Sequence, residues 1–252
     1  LRITDDSYES GDQAKRVERK YSEDTYRCDE RALESSITDK QLRNYDKAIK
    51  LEQEKTIFLR DKQLLNKENR IARLATDTAV VTQTSDADDW EGTGTPRKDI
   101  MSASGTIFTA TGKIANTLVI DYKAAQAIAG NSEFTGCYKN SDVLVSLGGL
   151  PPILWGLRVV IAGVLYASTD RIGTSDPTLA SLWNDGALVC YIDPNAGLEG
   201  LTFMKSFRPR GQLQIIKGDY SKLKHAYDIQ VYEEIDEKVI CAACAYLFSD
   251  AG

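Results

Sequence analysis

A chain of 252 residues with 42% hydrophobic side chains can bury a substantial core, as one large domain or two ordinary ones. Its net charge of −6, with both signs interleaved, excludes the net basic stripe of a nucleic-acid reader, and no apolar run reaches the ~20 residues that span a bilayer. Five scattered cysteines (Cys28, Cys137, Cys190, Cys241, Cys244) read as free thiols of a reducing compartment rather than a secreted disulfide framework.

Charge is concentrated at the start. Residues 1–77 carry 17 acidic and 17 basic side chains, residues 78–252 carry 20 and 14. The chain opens on Leu1, as a fragment, a processed product or an ordered remainder does, and no signal-peptide pattern follows. From Gln13 to Arg43 there is no Pro or Gly, and Val17, Tyr21, Tyr26, Leu33, Ile37 and Leu42 are too sparse to make a core. The stretch reads as an extended arm, unfolded in isolation, whose few apolar side chains are buried by other molecules. Dense charge of both signs suits reversible protein–protein contact; a solvated arm is the alternative.

Lys50 to Thr76 reads as one long helix, with Asn44 and Asp46 as candidate starts. Ile57, Leu64 and Ile71 recur seven apart, with Phe58, Leu65 and Ala72 beside them, giving one apolar stripe on a charged rod. Glu52 and Glu54 near the start and Arg70 and Arg73 near the end suit the helix dipole. Such a rod, roughly 40 Å long, is a strut with one face on its own domain and the other towards water or a neighbouring subunit.

A β-like run, Ala79 to Thr84, precedes an acidic loop, Ser85 to Gly94. Pro96 opens a helix that Gly112 closes after Thr111. Asn116 to Asp121 is a buried strand, Tyr122 to Ala129 a short helix stopped by Gly130, residues 131–140 a loop, and Ser141 to Leu147 another short helix. After the break at 148–152, Arg158 to Ala167 reads as a central strand and Ser168 to Ser181 as polar loop. Trp183-Asn-Asp-Gly turns the chain into a buried strand, Ala187 to Ile192, and Leu201 to Arg208 and Leu213 to Ile216 are further strands. Tyr227 to Glu233 alternates, Glu234 to Glu237 turns, and Lys238 to Phe248 returns, a long antiparallel hairpin. Without a steady βαβ rhythm the fold class is α+β.

Catalytic machinery does not assemble. The single histidine, His225, sits in the polar stretch KLKHAYD, and neither G-x-S-x-G nor H-E-x-x-H occurs. Gly105 and Gly112-Lys113 have the wrong spacing for a phosphate loop, and Ile114 replaces the required Ser or Thr. Cys241 and Cys244, read on a strand, point to opposite faces and have no second pair to complete a zinc site. Asp86, Asp88, Asp89 and Glu91 read as a solvated loop rather than a cation site. Trp90, Trp155 and Trp183 read as core or interface anchors.

Taken in order, the parts resemble the major capsid protein of tailed bacteriophages over nearly the whole chain. Asn116-Thr-Leu-Val-Ile-Asp121 resembles its "PNTLV" strand, and Leu154-Trp-Gly-Leu-Arg-Val-Val160 its turn into a central strand. Trp183-Asn-Asp-Gly-Ala-Leu-Val-Cys-Tyr191 resembles its "W-G-x-x-A-L-L-A-Y", and Glu237 to Leu247 its last P-domain strand. The resemblance implies an N-terminal segment and E-loop over residues 1–45, a P-domain formed by 46–112 (spine helix about 50–76) and 213–252, and an axial A-domain over 113–212. It implies a non-enzymatic subunit without cofactor or metal, assembling as hexamers and pentamers of an icosahedral shell around double-stranded DNA held by non-specific proximity. Scaffold, portal and decoration proteins are implied partners, and virion and host cytoplasm are the implied locations, with no membrane. Inter-subunit contacts are expected from Arg16, Arg19, Tyr21, Tyr26, Arg27, Asp29, Glu30 and Arg31. Deleting Lys15 to Arg43 is then expected to leave a folded subunit that does not assemble. An encapsulin-like nanocompartment is the alternative of the same fold, and a metal-dependent hydrolase around Asp86 to Glu91 the alternative of another class.

Overall fold

A computed structural model describes residues 25–44, 50–86, 90–92, 94–138, 149–167, 178–197, 200–209, 213–249 and 251. Arg16, Arg19, Tyr21, Asp46, Asp88, Asp89 and the helix expected over Ser141 to Leu147 lie outside the described residues.

Residues 29–38 fold on their own chain. Asp29–Thr38 form a ten-residue strand, β1, paired antiparallel with the strand Ala226–Val239, from Asp29 opposite Ile235 to Thr38 opposite Ala226. Ile37 is fully buried with Leu51, Leu59, Ile229 and Val231. The expectation that this part of the arm finds its burial on other molecules is therefore corrected. A strand that alternates Leu33, Ser35 and Ile37 on one face has a partner in its own alternating sequence. A deletion running to Arg43 removes the strand paired along ten positions of β11 and cannot serve as a clean assembly test.

After a short helix, α1 (Asp39–Asn44), the expected rod is present as α2, Leu51–Ala75. Its buried face is not the one that the heptad spacing names. Leu51, Leu59, Gln63, Ala72 and Ala75 are buried, Leu65 and Ile71 half-buried, while Ile57, Phe58 and Leu64 are about half exposed. Two polar residues hide the true face in the sequence. Lys55 Nζ donates to the carbonyl of Ser36 at 2.7 Å and Gln63 Nε2 to that of Arg31 at 3.1 Å, so the helix satisfies carbonyls of β1.

The β-like run at 79–84 gives a turn, and the strand, β2, is Thr84–Asp86. Helix α3 (Pro96–Thr111) has Pro at its start and Gly112 at φ 71° after its end, as the turn chemistry requires. Strand β3 (Thr117–Asp121) runs into α4 (Tyr122–Gly130), where the Asp121 carboxylate accepts the Lys123 N–H and caps the helix. Residues 132–138, expected as loop, form α5 (Ser132–Tyr138). Asn131 starts it: its side-chain oxygen accepts the Glu133 N–H at 2.8 Å.

Strand β4 (Ile153–Leu154) pairs with β5 (Leu157–Ala162). The single strand expected over 158–167 breaks at Gly163-Val164, because Leu165–Ala167 (β6) leaves the core and forms an exposed ribbon with Leu179–Ser181 (β7). Asn184 and Asp185 both take positive φ, 48° and 56°, in the turn before β8 (Ala187–Cys190), which is buried on both faces. Then come β9 (Met204–Phe207), β10 (Gln214–Lys217), the long strand β11 (Ala226–Val239), a single 3₁₀ turn (Ala242–Cys244) and β12 (Ala245–Ser249).

The hairpin near the C-terminus is real, but its turn comes earlier than expected. Glu234 to Glu237 does not turn; β11 runs straight through it and pairs back to β10 across residues 218–225. Glu233 and Glu237 occupy buried positions of the period-two pattern, which the charges obscure. β12 does not return along β11; it enters a different sheet.

Two sheets result. β1, β11 and β10 are neighbours, with β9 on β11, and α2 lies across them. The second, in the order β2-β12-β8-β3-β5-β4, carries the main core, in which Trp90, Ile100, Ile107, Leu118, Ile120, Ile128 and Leu150 are all but inaccessible. This mixed arrangement bears out the α+β class.

The corrected helix face yields a prediction. Leu59→Ala should cost about 2–4 kcal/mol in urea unfolding, as a buried leucine does, and Leu64→Ala under about 1 kcal/mol. Equal losses for the two would mean that the sequence-derived stripe, not this face, is the buried one.

Candidate assembly surface

Five of the eight expected contact residues are described, and all five gather at one end of the first sheet. Tyr26 stacks flat on Phe207, ring centroids 4.4 Å apart and 12° between planes. The Arg27 N–H donates to Asp236 Oδ2 at 3.1 Å while its guanidinium stands in solvent, 3.9 Å from Asp29. Arg31 Nη2 donates to Asp29 Oδ2 at 3.1 Å; Glu30 is exposed and stands opposite Glu234 in the register. The Cys28 thiol here is raised, by burial and then by the carboxylates of Asp236 and Glu234.

A charged seam between α2 and β11 escaped the sequence reading. Arg70 grips Glu237 with two parallel bonds, Nε to Oε2 at 3.0 Å and Nη2 to Oε1 at 2.8 Å. Arg208 Nη2 lies 2.9 Å from Glu233 Oε1. Both glutamates are buried, and Lys67 lies among them with its ammonium pKa lowered, by burial first and by the neighbouring Arg208. Glu237 in turn holds the Arg70 guanidinium further in its charged form. The signal was there: Glu233, Ile235 and Glu237 continue the alternation of β11, so charge at inward positions demands partners.

Further along, the Tyr227 hydroxyl donates to Glu52 Oε1 at 2.5 Å and Lys217 Nζ reaches the same oxygen at 3.0 Å. The two donors hold the Glu52 carboxyl below the usual range, and burial and Glu52 push the Tyr227 hydroxyl up to about 12.

The remaining sequence candidates serve structure. Trp90 is buried and donates from Nε1 to Asp99 at 3.0 Å, and Trp183 Nε1 donates to Glu68 at 3.0 Å. Cys241 and Cys244 do not diverge on a strand as expected. The 3₁₀ turn brings them together, and burial followed by the Cys241 contact raises the Cys244 thiol to about 12. His225 sits in the β10–β11 turn at φ 46°. Beside α4 a cavity of about 820 Å³ is lined by Asp121, Lys123, Ser181 and Asp185 with apolar walls. Its polar groups are already engaged with one another: Ser181 Oγ donates to Asp121 at 2.5 Å and Lys123 meets Asp185 at 2.7 Å. Among the described residues no three His, Cys, Asp or Glu converge to hold a metal, and no helix is long and apolar enough to cross a membrane.

The seam makes a test. Glu237→Leu alone should cost about 3 kcal/mol, since it strands a part-buried guanidinium; Arg70→Met with Glu237→Leu should recover most of it. A single-variant loss under about 1 kcal/mol in denaturant titration would show the seam to be solvated. Acid stability reads the other cluster. Glu52 has a depressed pKa, so its contribution is complete above the ordinary carboxylate value of about 4.3 and fades as pH falls through the lower folded one. Tyr227→Phe should therefore make the loss of stability below about pH 4.3 shallower; an unchanged slope would dissociate Tyr227 from Glu52.

Comparison with known protein families finds no match, and comparison with curated proteins finds none either. Solved structures do match. A phage-related protein from Bordetella bronchiseptica superposes with a TM-score of 0.74 at 18% identity, over 92% of this chain and 78% of that one. The capsid of Cyanophage P-SCSP1u gives 0.55 at 9%, over 98% and 80%. The SrpI encapsulin of Synechococcus elongatus gives 0.53 at 11%, over 88% and 74%. With charged strand β1, spine helix α2 and two sheets in this order, the chain has the fold that tailed-phage capsid proteins share with encapsulins.

Proposed function

We propose that this chain is the major capsid protein of a tailed bacteriophage, a subunit that assembles into hexamers and pentamers of an icosahedral shell around double-stranded DNA. The observation that carries the reading is the likeness along nearly the whole chain to a phage-related protein and to phage capsids. The surface supports it. Ile57, Phe58 and Leu64 leave an apolar strip on the outward face of α2, beside the charged end of β1, where a neighbouring subunit can cover them. Tyr26, Arg27, Asp29, Glu30 and Arg31, together with Arg16, Arg19 and Tyr21, are the proposed inter-subunit contacts. The peripheral domain is residues 46–112 and 213–252 and the axial domain residues 113–212, with β9 contributed to the peripheral sheet and β12 to the axial one.

The work of such a subunit is binding rather than catalysis, and we assign it no cofactor. The net charge of −6 suits a lining that lets DNA move during packaging, because a basic wall would hold it. Scaffold, portal and decoration proteins are its proposed partners, the host cytoplasm its site of assembly and the virion its destination. The encapsulin likeness favours a second reading, a nanocompartment around protein cargo.

Purified protein should form closed particles in negative stain, with nuclease-protected DNA inside when made during infection. Stable monomers at high concentration and physiological salt would sink the shell reading, and particles filled with protein would select the nanocompartment. A chain lacking residues 1–24, which keeps β1, should remain folded by circular dichroism and lose at least tenfold in particle yield; undiminished yield would remove the arm from assembly.

A further inference from the structure

The β10–β11 hairpin ends in a knob. Leu223 at its tip is 98% exposed, more than any other large apolar side chain among the described residues. The turn beneath it is anchored. Ser221 and Ala226 exchange backbone hydrogen bonds at 2.8 and 3.4 Å, and the Gly218 N–H donates to the Asp228 carbonyl at 2.8 Å. From α1, the Asp39 N–H donates to the His225 carbonyl at 3.0 Å, and Tyr220 donates its hydroxyl to the Asp39 carboxylate at 2.6 Å. His225 itself takes the left-handed φ of 46°, which a non-glycine residue adopts at a cost that the surrounding bonds must cover. A leucine held out on so fixed a turn is presented, not frayed. Lys222 and Lys224 flank it; Lys224 meets Asp228 at 3.4 Å, and Lys222 has no ion-pair partner among the described residues.

The same sheet carries the complement. On the face of β1 turned away from α2, Glu30, Ala32 and Glu34 follow one another, all exposed. Neither Glu30 nor Glu34 has an ion-pair partner among the described residues, and Glu30 stands opposite Glu234 in the register. Ala32, opposite Tyr232, is the small apolar residue between the two carboxylates.

We propose that the Leu223 knob of one copy seats over Ala32 of a second copy, with Lys222 and Lys224 against Glu30 and Glu34. The inference rests on the shell reading, and names a contact within that assembly. Charge decides the occupant. Two knobs brought tip to tip oppose lysine to lysine, whereas knob to sheet face opposes lysine to glutamate around an apolar centre. Within one copy the pair cannot meet. Ala32 lies opposite Tyr232, six residues along the strand from Ala226, roughly 20 Å from the turn. Repeated in one direction around an axis, the contact is heterologous, the kind that closes into rings.

Exchange of charge tests it. Lys222→Glu with Lys224→Glu, and separately Glu30→Lys with Glu34→Lys, should each cut particle yield at least tenfold while the subunits stay folded by circular dichroism. All four changes in one chain should restore yield to within about threefold of wild type. Yield unchanged in either pair, or a folded fourfold variant that still fails to assemble, overturns the contact and leaves the shell reading standing. Wild-type chains that never form particles overturn the shell reading instead. Leu223→Cys with Ala32→Cys then reads the contact in solution: a disulfide between chains, mapped by mass spectrometry, supports it, and its absence under oxidising conditions sinks it.

Discussion

β11 is the constraint on which the first half of the architecture depends. Fourteen residues in register with β1 on one side and with β10 and β9 on the other leave each of those segments little freedom to slip. A slip by one residue would turn Ile229, Val231 and Ile235 outwards and swing Glu233 and Glu237 away from Arg208 and Arg70. Apolar pairing alone fixes the face; the buried carboxylates also fix the step along the strand, because a guanidinium fork accepts one carboxylate position and not the next. The spine helix is thereby locked to the sheet by directional bonds near its C-terminal end and by Leu51 and Leu59 near its start.

Under the proposed shell reading, that division has a functional logic. The inner face of α2 is held by hydrogen bonds and charge, so its outer face can keep Ile57, Phe58 and Leu64 without their collapsing inwards. The surface ion pairs of this half, such as Lys217 with Glu52, contribute little individually. Weak contacts repeated over a lattice permit a misplaced copy to leave, while the sum holds the correct one.

Much of the second sheet was legible because its signals are local. Pro96 and Gly112 bracket α3, the apolar run from Thr117 to Ile120 can only be a buried strand, and Asn184-Asp185 announces a tight turn. The first sheet was harder to read because its information is non-local. Gln63 and Lys55 look like solvent-facing positions until the carbonyls of β1 arrive beside them. Glu234 to Glu237 looks like a turn until its partners come from residues 29–30 and 206–207, far away in sequence. Asn131 starts a helix that composition alone would leave as loop, since its side chain also gathers the carbonyls of Trp90 and Gly94 at 2.9 Å each. Of the surface candidates, charge density pointed to the residues that gather at the Asp29 end of β1, while the seam behind it was legible only as charge at inward positions of the β11 alternation.

The passage from β11 to β12 carries a mechanical consequence. Five residues, Ile240 to Cys244, join the last strand of one sheet to a central strand of the other, with the 3₁₀ turn taking up what slack there is. This tether is one of three chain crossings between the two sheets, beside α2 to β2 and β8 to β9, and it is tied at the Cys241 and Ile240 amides to the carbonyl of Phe203. A change in the angle between the two sheets loads this tether directly, because its five residues leave little slack.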